Sequence, residues 1–370
     1  MRGRFPRVVA RLAGRPRGLA ALIRVSRTAA RAYGAHPVPI ARRLRWLRRS
    51  EGFEFDEALG LGLLDPAMSH ATCAGFVSRH VNMSAQRRLN GHDMPPIVGE
   101  KLVFQRFCEG IGVPVPRLVA VIDRVGGSWI SPGRALPLGD LGADALPPSF
   151  VVKPSGGYEG FGVLLLERGE GDRLVHHDGR STTFAELVAE LRAHPEFDAW
   201  IIQERVRNHP ALAALGGDAT LHTVRIVTLV DRAGRPEILG AALRLGLSGG
   251  AVDNFHGGTL GNALCMVDAE TGVLEGVLTG RDGGFGLDQG ETLPGTGVRP
   301  EGLALPDWEA ARALVLSACG AFLPVRALGW DVALTPGGPV VIEANTRFGA
   351  FRVAGARDIV TRLEREAAPR

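Results

Sequence analysis

Residues Gly329–Gly349 read GWDVALTPGGPVVIEANTRFG. Trp330 to Leu334 alternate, Thr335 to Gly338 are turn residues, and Val340 to Ile342 are β-branched. Two strands joined by a tight turn are therefore predicted. Three oxygen-bearing side chains sit on this hairpin: Asp331, Glu343 and Asn345. Glu343 and Asn345 are two apart and face one side of an extended strand. The turn brings Asp331 beside them. Two carboxylates and an amide oxygen form a hard donor set that suits Mg²⁺, with Mn²⁺ as an alternative. Mg²⁺ commonly takes one or two carboxylates plus substrate phosphates. The plain alternative is a hairpin with a polar face.

At 370 residues the chain is long enough for about two or three packed units. No run of about 18 uncharged apolar residues occurs, so no spanning helix is expected. Cys73, Cys108, Cys265 and Cys319 form neither CxxC nor a zinc spacing. They fit a reducing compartment, and a cytoplasmic protein is the expectation. Residues 1–50 hold 14 Arg and no Asp or Glu; with a net charge of +4, residues 51–370 carry 4 − 14 = −10. A basic tail on an acidic body points to an anionic surface. Of 43 basic residues only two are Lys, Lys101 and Lys153. Lys is a compact point charge suited to a phosphate in a tight site, whereas Arg is a broad planar fork. Both lysines are therefore candidates.

Residues 1–50 are not a secretory signal, because Arg interrupts every apolar run. In composition they are similar to a mitochondrial transit sequence, but the rest of the chain looks bacterial. Ile40, Leu44 and Leu47 fall at helical spacing among arginines. Two readings are open: a helix lying on the anionic inner face of a membrane, or a solvated, partly disordered arm. No interleaved aromatic platform points to nucleic acid. Residues 51–95 are a predicted helical lead-in. In residues 99–123, Leu102, Phe104, Phe107, Cys108 and Ile111 give a helix that Gly110 and Gly112 stop, and a strand follows. Lys101 thus stands in a first helical turn, beside backbone N–H groups that favour anions.

Residues 149–166 place Lys153 after a buried strand, then a glycine loop (Gly156, Gly157, Gly160, Gly162) and a second strand. Glycines let backbone N–H groups close on a phosphate; a ligand-free glycine hairpin is the alternative. The loop is neither a Walker loop nor a dinucleotide fingerprint. Thr183 and Glu186 form a capping box. Trp200 to Gln203 form a strand ending in a polar hinge, Gln203-Glu204-Arg205-Val206. Arg225 and Arg244 stand inside two apolar strands. An arginine there needs a partner, either a structural ion pair or a bound phosphate or carboxylate. Asp253-Asn254-Phe255-His256-Gly257-Gly258 is a polar glycine loop; His256 reads as a loop histidine before a general acid/base. Residues 280–305 are expected to be a mobile surface loop. Pro306-Asp307 is expected to cap a helix, and a short basic helix (356–365) ends the pattern.

In this order the motifs resemble the ATP-grasp superfamily, carboxylate–amine ligases that hold ATP between two α+β subdomains. The match runs from Gly99 to Gly349. The segment Lys101-x8-Gly110-x-Gly112-x-Pro114 is similar in spacing to the D-alanine–D-alanine ligases. Arg225 with Arg244, and Asn254 with Gly257-Gly258, look like the ribosomal-protein glutamate ligases. HTVRIVTLV and the opening hairpin look like the branch called sugar-transfer-associated ATP-grasp, or α-L-glutamate ligase-related.

The resemblance implies an α+β, ATP-grasp fold at 96–365, with a lid subdomain at about 149–203 and a metal-binding subdomain at about 206–365, behind the basic helical region 1–50 and lead-in 51–95. It implies that Lys101 and Lys153 bind ATP phosphates under a lid containing Gly156, Gly157 and Gly160. Gln203, Glu204 and Val206 would bind adenine; Asp331, Glu343 and Asn345 would bind Mg²⁺. Arg225 and Arg244 would steady the transferred phosphoryl group. Asn254, Gly257, Gly258 and Arg347 would face substrate. Arg347-Phe348 stands where the D-alanine ligases have small residues, which argues against a dipeptide ligase of that kind.

The implied reaction is ADP-forming ligation of a carboxylate to an amine through an acyl phosphate, in envelope-polysaccharide or secondary metabolism. Two rivals use the same site: a phosphotransferase acting on a sugar or lipid hydroxyl, and a non-catalytic ATP-binding adaptor. The sequence assigns no oligomeric state.

Overall fold

The computed structural model describes residues 18–91, 95–124, 127–130, 134–137, 142–157, 160–349 and 356–368. Residues 1–17 of the basic arm and 158–159 of the glycine loop lie outside them. The helices before the first strand are α1 (Leu19–Ala32), α2 (Pro37–Ser50), α3 (Phe55–Gly60), α4 (His70–Ala74), α5 (Arg79–Asn90), α6 (Pro95–Gly99) and α7 (Lys101–Gly110).

The first sheet comprises β1 (Leu118–Asp123), β2 (Gly127–Ile130), β3 (Arg134–Pro137), β4 (Ser149–Pro154), β5 (Leu164–Arg168), β6 (Arg173–His176), β7 (Ser181–Thr183) and β8 (Ala199–Glu204). Its order is β3-β2-β1-β8-β4-β5-β6-β7. It thus begins at residue 118, ahead of the expected lid boundary, and places β8 between β1 and β4. Helix α8 (Phe184–Ala193) covers it, starting from the Thr183–Glu186 capping box. Phe184, Leu187, Val188 and Leu191 pack on Phe150, Leu166 and Trp200. Each such buried side chain contributes about 1.5–3 kcal/mol.

After α9 (Pro210–Gly216), the second sheet is built from β9 (Thr223–Val230), β10 (Pro236–Leu245), β11 (Ala263–Val267), β12 (Leu274–Gly280), β13 (Leu287–Gly290), β14 (Ala327–Thr335) and β15 (Gly338–Asn345). Its order is β13-β12-β11-β10-β9-β14-β15. Helices α7 and α10 (Trp308–Cys319) pack on one face. Helices α5 and α11 (Ala356–Ala367) pack on the other. Both faces are covered, so every residue of β14 is buried, and its alternation is not one of core against solvent. The predicted turn forms: Thr335 Oγ1 donates to the Gly338 carbonyl (2.8 Å) and accepts from Gly337 N (3.1 Å). Gly338 sits at φ 103°, where a β-carbon is strained.

Three expectations change. Residues 280–305 are not a free loop: β13 pairs with β12, and Leu293 and Leu305 are buried in the core. Asp307 precedes α10 in left-handed conformation (φ 49°) and makes no side-chain cap. Ile40, Leu44 and Leu47 are buried against α1 and α3, so that stripe lies on the protein and neither on a membrane nor in water.

One packing device went unseen in the sequence. Asn82, Gln86 and Asn90 form a buried stripe on α5. Asn82 Nδ2 and Gln86 Nε2 donate to the Phe348 carbonyl (2.7 and 2.9 Å), and Gln86 Oε1 accepts from Phe348 N (3.0 Å). Asn90 Oδ1 accepts from Arg326 N and Ala327 N, while its Nδ2 donates to the carbonyls of Ala327 and Thr346. Amide side chains here satisfy backbone groups that no neighbouring strand reaches.

Candidate active site

Antiparallel register sets up the charged centre. Asp331 on β14 is directly opposite Arg225 on β9 and Glu343 on β15. Directly opposed residues point to the same face of a sheet. Arg225 clasps Asp331 through Nε to Oδ1 and Nη2 to Oδ2 (3.0 Å). Arg244, from β10, adds Nη2 to Oδ2 at 2.7 Å and reaches Asp253 at 3.7 Å. Asp253 Oδ2 also accepts from Thr223 N (2.8 Å) and Thr223 Oγ1. The result is a buried lattice of alternating sign.

Burial alone would raise the Asp331 pKa, but the guanidiniums of Arg225 and Arg244 override it and hold the carboxyl well below the usual range. Asp253 goes the other way: burial pushes it up against the pull of Arg244. Burial works against the Arg244 charge too, and Asp253, Asp331 and Glu343 more than restore it. Glu343, the cross-strand partner of Asp331, accepts from Asn345 Nδ2 at 3.4 Å.

The first sheet supplies the facing wall. Lys153, near the end of β4, is 7% exposed. Burial lowers its pKa to about 8, against the attraction of Glu343. Lys101 begins α7 as expected, but the helix N–H groups there are already engaged. Lys101 N donates to the Ser155 carbonyl (2.9 Å) and Leu102 N to Ser155 Oγ (3.2 Å). Lys101 Nζ donates to the Gly157 carbonyl. The loop after Lys153 is thereby hitched to α7. A β-carbon on Gly160 would meet Asn254 Nδ2 at 3.0 Å and Val252 at 3.1 Å. Only glycine lets this loop lie so close to the loop of the other sheet.

A single cavity between the sheets is lined by Lys101, Lys153, Gly157, Gly160, Gln203, Glu204, Arg205, Val206, Thr223, Arg244, Asp253, Asn254, Asp331 and Glu343. Val151, Val163, Leu165, Leu221 and Ile342 give it an apolar side. Of the predicted hinge, Gln203 is buried and donates to Gln105 Oε1 (2.6 Å), while Glu204 is half-exposed and paired with Arg117 (2.8 Å). Gly156 (which faces Glu100), Arg225 and Asn345 do not line the cavity; the last two reach it only through Asp331 and Glu343.

Gly257, Gly258 and Arg347 are not part of the cavity wall. A β-carbon on Gly258 would fall 2.1 Å from Gly280 N, which accounts for that glycine by packing. Arg347 points to solvent. Asp253 and Thr223 were not singled out in the sequence. A signal existed for one of them: Arg244 in an apolar strand calls for a carboxylate, and Asp253 is the first acid after it.

The family model for sugar-transfer associated ATP-grasp proteins matches residues 80–366. The chain belongs to this family. Its fold is the ATP-grasp fold, and the match begins inside α5. Among solved structures, an N5-carboxyaminoimidazole ribonucleotide synthetase in ADP complex is 13% identical, covering 68% of this chain and 45% of its own, with a TM-score of 0.39. An L-amino acid ligase from Bacillus licheniformis is 14% identical (68% and 41% covered, TM-score 0.38). A D-alanine–D-alanine ligase from Bacillus anthracis, complexed with ATP, is 13% identical (72% and 66%, TM-score 0.36). The chain spans less than half of the first two. A search of curated proteins gives no significant sequence match.

Proposed function

We propose that this ATP-grasp protein is an ADP-forming ligase that joins a carboxylate to an amine through an acyl phosphate. One observation carries the reading: the only two lysines of the chain come from α7 and β4 to a single cavity, opposite Arg244, Asp331 and Glu343. ATP would place its phosphates on the lysines and its base against Val151, Leu165 and Ile342, beside the Gln203–Val206 hinge.

The donor set fits a magnesium ion. Asp331 and Glu343 are cross-strand partners that line one cavity, and two neighbouring carboxylates facing a phosphate site suit a hard divalent cation. A carboxylate offers about four lone-pair sites; Arg225 and Arg244 occupy three on Asp331, which leaves one on Oδ1. Among the described residues no cluster of three or more His, Cys, Asp and Glu side chains could hold a metal; Asp331 and Glu343 are the carboxylates that line the cavity, and the Asn345 amide is held against Glu343. Bound there, Mg²⁺ would neutralise charge on the β- and γ-phosphates.

The chain's own residues orient and neutralise. A substrate carboxylate oxygen attacks the γ-phosphorus, the bond to the bridging oxygen breaks, and ADP leaves. The amine nitrogen then attacks the acyl carbon, inorganic phosphate leaves, and the surplus proton passes to solvent. Lys101, Lys153 and Arg244 meet the phosphoryl charge, and no side-chain nucleophile is required. Gly157 and Gly160, the latter close against Asn254, narrow the cavity where water would hydrolyse the acyl phosphate.

Purified protein with Mg-ATP, pooled carboxylic acids and hydroxylamine is expected to form ADP and a hydroxamate, both abolished by Glu343→Ala. ADP stimulated by sugars without hydroxamate would replace the ligase by a phosphotransferase. ATP binding without either product would leave an adaptor.

A further inference from the structure

Helices α1 and α2 pack on each other, bury one face each in a shared core and turn the other outward. The outward stripe of α1 carries Leu19, Ile23, Arg27 and Arg31; that of α2 carries Val38, Arg42, Arg45 and Arg49. Both follow the three-to-four spacing of a single helical face. Leu19 is 66%, Val38 49% and Ile23 43% exposed. Residues 18–50 contain no acid. Arg24 and Arg48 on the flanks are paired with Asp56 and Glu54. The five stripe arginines have no ion-pair partner among the described residues.

We propose that this two-helix face docks on an anionic lipid bilayer. Arginines beside an anionic leaflet are attracted to its headgroups, and apolar side chains among them enter the boundary of headgroup and acyl chain. A nucleic acid or acidic polysaccharide would satisfy the arginines but leave Leu19, Ile23 and Val38 in water. The aromatic side chains of these two helices and the turn between them face the protein: Trp46 stacks on His70, and Tyr33 donates to the Phe285 carbonyl (3.3 Å). Neither offers a platform for bases. The face is tied to the body by Arg43, which donates to the Asp65 and Met68 carbonyls, and by Arg357, which grips Glu51. Docking there holds the cavity in one attitude to the bilayer.

The test is co-sedimentation of the full chain with vesicles of phosphatidylcholine alone or mixed with phosphatidylglycerol. Binding is expected with the mixed vesicles, weakening as salt rises, and little with the neutral ones. Each arginine at an anionic surface is worth roughly fivefold in affinity, so Arg42→Gln with Arg45→Gln is expected to weaken binding about 25-fold. Leu19→Ser with Ile23→Ser is expected to remove the binding that persists at high salt. These exposed changes leave the fold intact, which circular dichroism checks. No binding, equal binding to both vesicles, indifference to the substitutions, or displacement by single-stranded DNA or an acidic polysaccharide would overturn the proposal.

Discussion

In the sheet β9–β15, charge is held inside and answered within the sheet: Arg225, Arg244, Asp253 and Asp331 contact one another directly. In the sheet β1–β8, the buried cation Lys153 is answered from across the cavity, by Glu343. One sheet stores its charges as structure; the other leaves a cation short of a partner. A strand buried on both faces can keep an ion only if counter-ions arrive with it. A strand that ends at a cavity can keep one in wait for an anion. Asp331→Ala should therefore damage the fold first, and Lys153→Met the chemistry.

The largest effect is expected from Asp331→Ala, which takes the shared partner from the buried Arg244 and the partly buried Arg225 and should cost about 3–5 kcal/mol, read from the denaturant midpoint. A loss under about 1 kcal/mol would mean that the lattice is not structural. The same residue gives a pH dependence. Its folded pKa is depressed, so its contribution is present above the unfolded carboxylate range and is lost as pH falls through and below it.

Lys153→Met comes next and should separate the two sheets most sharply. Hydroxamate formation is expected to fall about 10²–10³-fold, as on removing one transition-state charge contact, with stability unchanged or raised. In the wild type this lysine is about 8 folded against 10.5 unfolded. The unfolded chain binds more protons between those values, so stability should rise with pH across that window. A flat profile there would show Lys153 to be well paired.

Asn90→Ala should cost about 1–3 kcal/mol, because the buried backbone groups of Ala327 and the half-buried ones of Arg326 and Thr346 lose their partner; thermal melts would register it. On the first sheet, Thr183→Ala removes the α8 cap and should cost about 1 kcal/mol. Glu204→Ala breaks a half-exposed pair with Arg117 and should cost about 1 kcal/mol or less. If Glu204 contacts the nucleotide, its effect would appear in ATP affinity instead.

What the sequence disclosed follows the range of each signal. The β14–β15 hairpin, the Thr183–Glu186 box and the strand before Lys153 are local patterns, and the structure contains them. That Arg225 and Arg244 both close on Asp331 depends on β9 lying between β10 and β14, which no local spacing encodes. Strand β13 reads LDQG, with no β-branched residue; its strand character comes from pairing with β12. The Ile40, Leu44 and Leu47 periodicity marked a face that leaves water, but periodicity does not name what covers it. The role of α5 was hidden for a similar reason: amides in a polar helix look solvated until their backbone partners arrive.

Those partners arrive late. Asn82, Gln86 and Asn90 bond to backbone that is 236 to 266 residues further along the chain. On the ribosome, α5 emerges long before the segment it completes. Its amides, and the closing edge of the second sheet, cannot be satisfied until Phe348 has been released. Contacts that distant are slow to form, and a long nascent chain exposes apolar surface while it waits. The second sheet is therefore the part of the described fold that closes only after nearly the whole chain has been made.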